Sequence, residues 1–263
     1  MMKTEKLVRQ QARDSLKGNH TILMASVGLI FLTYLLLFFL RQILMIMTGE
    51  INIYTGEADT GFMKMGWFIS IGYVSALFLV SPLINGFLHA SANAALKNSC
   101  STLDLFYYFG SVTRYFKTLV INMLVFLLFA VSTSALDLEK YFRVFFKEQV
   151  PGSLGFDPDS FMIIFVGVIT ILIRILLYLF FVHFPLTAYA FNEDLGVSEC
   201  VFVMMGFSAK NFWKTFRLLI SFSGWLLLCF FVVPALYVIP YVSVSALTSA
   251  KWLFQLDERR CVI

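Results

Sequence analysis

The sequence predicts an all-α, polytopic helical membrane protein with about six transmembrane helices and amphipathic interfacial helices between them. Three observations predict it. Of 263 residues, 59% are hydrophobic and 14% charged, against about a quarter charged in soluble domains, so the apolar surface exceeds what one soluble core can hide. Uncharged runs near the length needed to cross a hydrocarbon layer about 30 Å thick recur along the chain. The basic residues fall in alternating connecting segments, as the preference of lysine and arginine for the cytoplasmic side requires.

The first element is an interfacial helix over residues 4–17, in which Lys6, Arg9, Arg13 and Lys17 form a basic stripe beside Val8, Ala12 and Leu16. Such a helix suits an anionic inner leaflet, each cation contributing about 1 kcal/mol near the surface. The first span, 21–40, follows a basic stretch as a secretory signal would. Its length and the lack of a small-x-small cleavage site mark an uncleaved anchor. The second span covers 66–88. Ser101 with Asp104 three residues on starts a second interfacial helix, 101–113, with a capping-box pattern, and the third span covers 118–136. An outer segment, Leu138 to Val150, carries Phe142, Phe145 and Phe146 at helical spacing, which fits an amphipathic helix on the outer leaflet or a partner-binding helix. Asp157 and Asp159 flank Pro158 in a turn, where a cation site is the sharper alternative.

The fourth span, 163–189, is long, tilted and contains Arg174. Glu193 and Asp194 suit the N-terminus of a third interfacial helix, 198–211, through its dipole. Residues 218 to 250 are uncharged and too long for one crossing. Pro234 divides them into spans 217–233 and 235–253.

Charge counting orients these spans. Fourteen of the 20 lysines and arginines fall on the side of the N-terminal segment, five (Arg41, Lys64, Lys140, Arg143, Lys147) fall opposite, and Arg174 lies within a span. Both termini are therefore expected in the cytoplasm, whereas five spans would place Arg259 and Arg260 outside. Cys100, Cys200 and Cys261 fall on the cytoplasmic side and Cys229 in a span, so no structural disulfide is expected. Cys261 stands third from the end, where a prenylation box needs it fourth.

The segments before spans three and five align without gaps: Ser101, Ser111, Lys117 and Thr118 meet Ser198, Ser208, Lys214 and Thr215, with Tyr115 and Phe116 meeting Phe212 and Trp213. The N-terminal segment aligns as a third copy. Each inward span carries a proline near its cytoplasmic end, Pro82, Pro185 or Pro240. The repeating unit is then an interfacial helix and two spans, a pattern common in transporters and in duplicated hairpins alike.

Ala12-Arg13-Asp14-Ser15-Leu16-Lys17-Gly18-Asn19 and Ser221-Phe222-Ser223-Gly224-Trp225-Leu226-Leu227, with Pro240-Tyr241 and Lys210-Asn211-Phe212-Trp213-Lys214, resemble the signatures of a bacterial integral-membrane family catalogued as domain of unknown function 975. That family carries an aspartate-asparagine-proline turn where this chain has Asn192-Glu193-Asp194-Leu195. The resemblance implies a multi-pass protein of the bacterial plasma membrane and implies no activity.

Arg174 is the sharpest single candidate for function. A charge near mid-span costs about 3 kcal/mol or more and usually faces a cavity or partner. No carboxylate lies within a predicted span to pair with it, which leaves Asn122, Asn85, a lipid phosphate or another protein; alternatively the span slides and Arg174 snorkels to the outer interface. His20, His89 and His183 fall near cytoplasmic span ends without metal-ligand spacing, so no metal or other cofactor is expected. No nucleophile and base pair up in sequence, no phosphate-cradling glycine motif is present, and the basic residues form no nucleic-acid face. The expected function is non-enzymatic interaction with lipid or with membrane proteins, including self-association, with Lys6, Arg9, Arg13, Lys17, Lys117 and Lys214 at the interface. The alternative is a small-solute transporter or channel built from repeated hairpins.

Overall fold

A computed structural model of the chain describes residues 2–47, 62–135, 169–170, 173–222, 224–225, 229 and 232–261. Every regular element among them is helical. The outer segment 138–150, Asp157 and Asp159 lie outside the described residues.

Helix α1 spans Met2–Leu16, and its apolar stripe of Val8, Ala12 and Leu16 is buried. It packs mainly against the helix Val232–Cys261. The chain leaves α1 through Gly18, whose φ of +89° lies in the left-handed region that glycine enters without a Cβ penalty. The next residue ties two distant segments together: Asn19 Nδ2 donates to the Asn98 carbonyl at 3.1 Å, and its Oδ1 accepts from the Cys100 amide at 3.0 Å. These contacts give a physical role to the Lys17-Gly18-Asn19 end of the N-terminal motif.

Helix α2 runs His20–Met47. Over its most apolar window the mean hydropathy is 2.5 and only 11% is buried, so this helix turns most of its leucine and phenylalanine side chains away from the protein. Helix α3, Phe62–Ala95, is about 51 Å long at 1.5 Å per residue. Its C-terminal half is central. Ala90, Ala92, Ala94 and Ala95 are all buried there, and these small side chains let neighbouring helices approach closely. Gly86 takes this furthest, because a Cβ at that position would stand 2.0 Å from the Leu105 carbonyl oxygen.

Helix α3 ends in a Schellman turn. Lys97 N donates to Ala94 O at 2.8 Å and Asn98 N to Asn93 O at 2.9 Å, the pattern that satisfies a helix's last carbonyls. The left-handed residue in such a turn is usually glycine; here it is Lys97, with φ 65°.

A 3-10 helix, Thr102–Phe109, follows, and its capping box is formed as expected: Leu103 N donates to Ser101 Oγ and Ser101 N to Asp104 Oδ2. It is shorter than the helix expected over 101–113, since the chain kinks at Gly110-Ser111 and α4, Val112–Ala135, begins there. Helix α5, Ile173–Phe191, contains a π-helical turn at Leu179–His183 immediately before Pro185, which cannot donate to the preceding turn; the wider turn accommodates the lost hydrogen bond. A second π-helical turn, Glu199–Val203, leads into α6, Met204–Ile220. This helix passes without a break through the junction expected between residues 211 and 217, and the chain bends instead at Ser221-Phe222. Helix α7, Val232–Cys261, holds Pro234 in its first turn, where the missing N–H costs nothing, and Pro240 inside.

Two apolar clusters meet at Leu88 of α3, which is partly buried and packs against both. One gathers Ala12, Leu16, Leu23, Val27, Leu83, Phe87, Tyr241, Val244 and Leu247 from α1, α2, α3 and α7. The other gathers Tyr108, Ile121, Val125, Val182, Leu186, Tyr189, Cys200 and Val201 from the 3-10 helix, α4, α5 and the second π-helical turn.

Six spans were expected. Among the described residues three helices are long and apolar enough to cross a membrane: His20–Leu44, Val112–Ser134 and Ile173–Phe191. The expected spans 66–88 and 217–233 extend over residues whose side chains lie outside the described ones. The described side chains of α3 include Ser81, Asn85, His89, Ser91 and Asn93, and α7 carries Ser243, Ser245, Thr248, Ser249 and Lys251. Much of the polar surface on these helices is buried against other helices.

Candidate functional site

Polar side chains converge where α3, α4 and α5 pack. Ser81 and Asn85 stand one turn apart on α3, and Thr118 and Asn122 stand one turn apart on α4, so each pair shares a helical stripe. All four are buried. Asn122 Nδ2 donates to Ser81 Oγ, and the Thr118 and Tyr189 hydroxyls share a hydrogen bond of 3.0 Å. Asn85 is different: it is 1% exposed, yet neither its amide nitrogen nor its carbonyl oxygen has a hydrogen-bond partner among the described residues. An unpaired buried amide costs about 1 to 3 kcal/mol. Asn85→Leu, close in volume, is therefore expected to raise the unfolding midpoint of the purified protein, by about 1 kcal/mol of stability or more. A lowered midpoint in thermal unfolding would show that the amide has a partner in the folded protein.

A charged and aromatic cluster adjoins this stripe. Glu193, in the turn after α5, accepts from Arg114 Nη2 at 3.2 Å, and Arg114 Nε lies 3.2 Å from the other carboxylate oxygen. The same guanidinium sits 4.5 Å above the Tyr107 ring. Lys117 Nζ donates to the Glu193 carbonyl and lies 5.8 Å from the Tyr189 ring centre. On the other face of the cluster, His89 stacks on Tyr107 at 4.3 Å with Nδ1 3.3 Å from the Ala190 carbonyl, and Tyr108 stacks on Tyr189 at 5.3 Å. Burial and the Glu193 carboxylate push the Tyr107 phenol above its usual range, and burial pushes Tyr108 further, so both stay protonated.

Glu193 thus binds backward, to α4. The start of the following helix is held by Glu199, whose Oε2 accepts from Gly196 N at 3.0 Å. Arg114 is paired with the single carboxylate and Lys117 with the same residue's backbone carbonyl, which makes the cluster a clamp between elements. The cysteine thiols are equally closed: Cys100 donates to Ala90 O and Cys200 to Pro185 O, each at 3.1 Å. Burial raises their pKa values to about 11 and about 12, so neither is a ready nucleophile at neutral pH. Among the described residues no three histidine, cysteine or carboxylate side chains converge to hold a metal.

The remaining candidates divide by exposure. Arg174 is exposed near the described start of α5. Its distance from Phe191 is about 26 Å along the helix axis. Lys6 and Lys17 are exposed, the latter bonded to Asp14 at 2.7 Å. Arg9 turns inward: Nη2 donates to the Ser221 carbonyl at 2.9 Å, and the guanidinium lies 4.8 Å over Phe222. Arg13 lies 5.8 Å over Tyr241, and Lys214 donates to Asn211 Oδ1 at 3.1 Å. Sequence reasoning named Arg9 and Arg13 for their charge and missed their packing against aromatic residues more than 200 positions away. It also missed Asn19, although an asparagine directly after a helix-ending glycine is a recognisable signal.

No known protein family, curated protein or solved structure matches this chain.

Proposed function

We propose that the chain is a multi-pass integral protein of the bacterial plasma membrane, with about six spans and cytoplasmic termini, that acts without catalysis through contacts with anionic inner-leaflet lipid or with other membrane proteins. One observation carries this reading: the segments that connect the apolar helices display large apolar side chains beside cations. Leu103 and Trp213 are each 75% exposed, and Phe106, Phe109, Val112, Phe116, Phe202 and Val203 are exposed as well; Lys117 follows Phe116 and Lys214 follows Trp213 in the chain. Such a surface is costly in water and favourable at a bilayer interface, where the rings enter the headgroup layer and the ammonium groups meet phosphate. The spacing of Arg174 from Phe191, close to the thickness of the hydrocarbon layer, suits a side chain that snorkels to the outer interface. The resemblance to domain of unknown function 975 and the threefold repeat belong to the same reading.

The test is depth. In a variant with Trp67, Trp225 and Trp252 replaced by phenylalanine, placed in bilayers containing brominated lipids, Trp213 fluorescence should be quenched most by bromines near the headgroups. Emission typical of water, with no quenching, would sink the reading. A second reading, a small-solute transporter or channel, is favoured by one observation, the unpaired buried Asn85 beside the Ser81–Asn122 pair. Solute flux in proteoliposomes that is lost in Asn122→Leu would establish it.

A further inference from the structure

Where α1, the end of α3 and α7 meet, a crevice of about 250 Å³ is lined by Gln11, Ser15, Lys97, Thr248, Lys251 and Trp252. The described groups around it are rich in hydrogen-bond donors. Lys97 and Lys251 make no hydrogen bond or ion pair among the described residues. Lys97 acts only weakly on Asp14, whose carboxylate is held by Lys17 at 2.7 Å. The Trp252 indole donates to Gln11 Oε1 at 2.9 Å, which orients that amide and leaves its NH2 as the free end. The Ser15 hydroxyl is unbonded among the described residues. Thr248 spends its hydroxyl proton on the Val244 carbonyl at 2.7 Å.

The backbone supplies a second, independent observation. Lys97 occupies the left-handed position of the Schellman turn, φ 65°, where glycine would sit without strain. A strained residue held in place is a pointer to function, and here the residue that bears the strain brings an ammonium group to the crevice.

We propose that this crevice binds a phosphate-bearing anion, a phosphate monoester or diester, between Lys97 and Lys251, with Ser15 and the Gln11 amide as neutral donors. Two ammonium groups and two neutral donors complement the charge and lone pairs of a phosphate group. Trp252 at the rim suits a ligand whose remainder lies in a bilayer interface. That the source is a phospholipid headgroup and not free phosphate rests on the membrane reading above; the site itself does not.

The test is calorimetric titration of the full-length protein in neutral detergent with two probes, inorganic phosphate and dihexanoyl phosphatidylglycerol. Four variants accompany it. Lys97→Gly removes the charge and relaxes the backbone, so its unfolding midpoint should equal or exceed that of the parent; Lys251→Gln keeps most of the stem; Arg217→Gln and Lys210→Gln remove exposed cations outside the crevice. The lipid should bind one to one, and each crevice variant should weaken it about tenfold, while the two outer variants leave it unchanged. Binding of phosphate with the same sensitivity, without binding of the lipid, would sustain the site and remove the phospholipid as its source. No binding of either probe, or equal loss in all four variants, would overturn the proposal. Failure of the membrane reading is read separately, from the depth of Trp213.

Discussion

Gly86→Ala should leave little folded protein, although it adds a single methyl group. The new Cβ would lie 2.0 Å from the Leu105 carbonyl oxygen, 2.7 Å from its carbon and 3.0 Å from its Cα. All three atoms are backbone, so no side-chain rotation relieves the contact. Either α3 or the 3-10 helix must move, and that motion would break the packing of Leu105, which is 2% exposed, and the neighbouring His89–Tyr107 stack. Overpacking of a closed core costs about 1 to 3 kcal/mol when side chains can adjust, and a backbone contact places this substitution at or above the top of that range. Gly206→Ala is the matched control. A Cβ there meets nothing within 4 Å, so in the helix α6 the alanine should stabilise the protein by about 1 kcal/mol. Thermal unfolding in detergent, followed by size-exclusion of the heated sample, reads both. Equal midpoints for the two variants would mean that α3 and the 3-10 helix do not approach as described.

Tyr108 offers the second large effect, and it splits by substitution. The ring is fully buried, packed on Tyr189 and edge-on to His89 and Tyr107, but the hydroxyl has no hydrogen-bond partner among the described residues. Tyr108→Ala opens a cavity at the meeting of the 3-10 helix, α4 and α5 and should cost about 3 to 5 kcal/mol. Tyr108→Phe keeps the ring and removes an unpaired polar atom, so it should be neutral or mildly stabilising. A clear loss of stability in Tyr108→Phe would reveal a partner for the hydroxyl in solution.

The helical class of this fold was legible because apolar runs and periodicity are local properties of the chain. The capping box at Ser101 and Asp104 was legible for the same reason, since both partners lie within one turn. Pro234 reads as the divider between two spans, and the structure places it in the first turn of α7, where its missing N–H is harmless. What stayed hidden depends on pairings across the chain. Glu193 reads as a helix-starting acid beside Asp194, and only the packing of α4 against α5 brings Arg114 within 3.2 Å of its carboxylate. Lys97 and Lys251 look like unrelated basic residues near two helix ends. Their shared crevice exists because α1 fills the angle between α3 and α7. Asn85 and Asn122 were recognisable as polar residues within apolar runs, but their difference, one paired with Ser81 and one unpaired, lies in side-chain geometry that no periodicity encodes.

The seam between α1 and α7 also bears on how the protein is made. Gln11 and Trp252, joined by a hydrogen bond, are 241 positions apart in the sequence. While the ribosome is still producing the intervening helices, Val8, Ala12 and Leu16 have no α7 to cover them. The stripe is covered only when α7 packs on it, so the crevice at the seam forms only after both helices have been made.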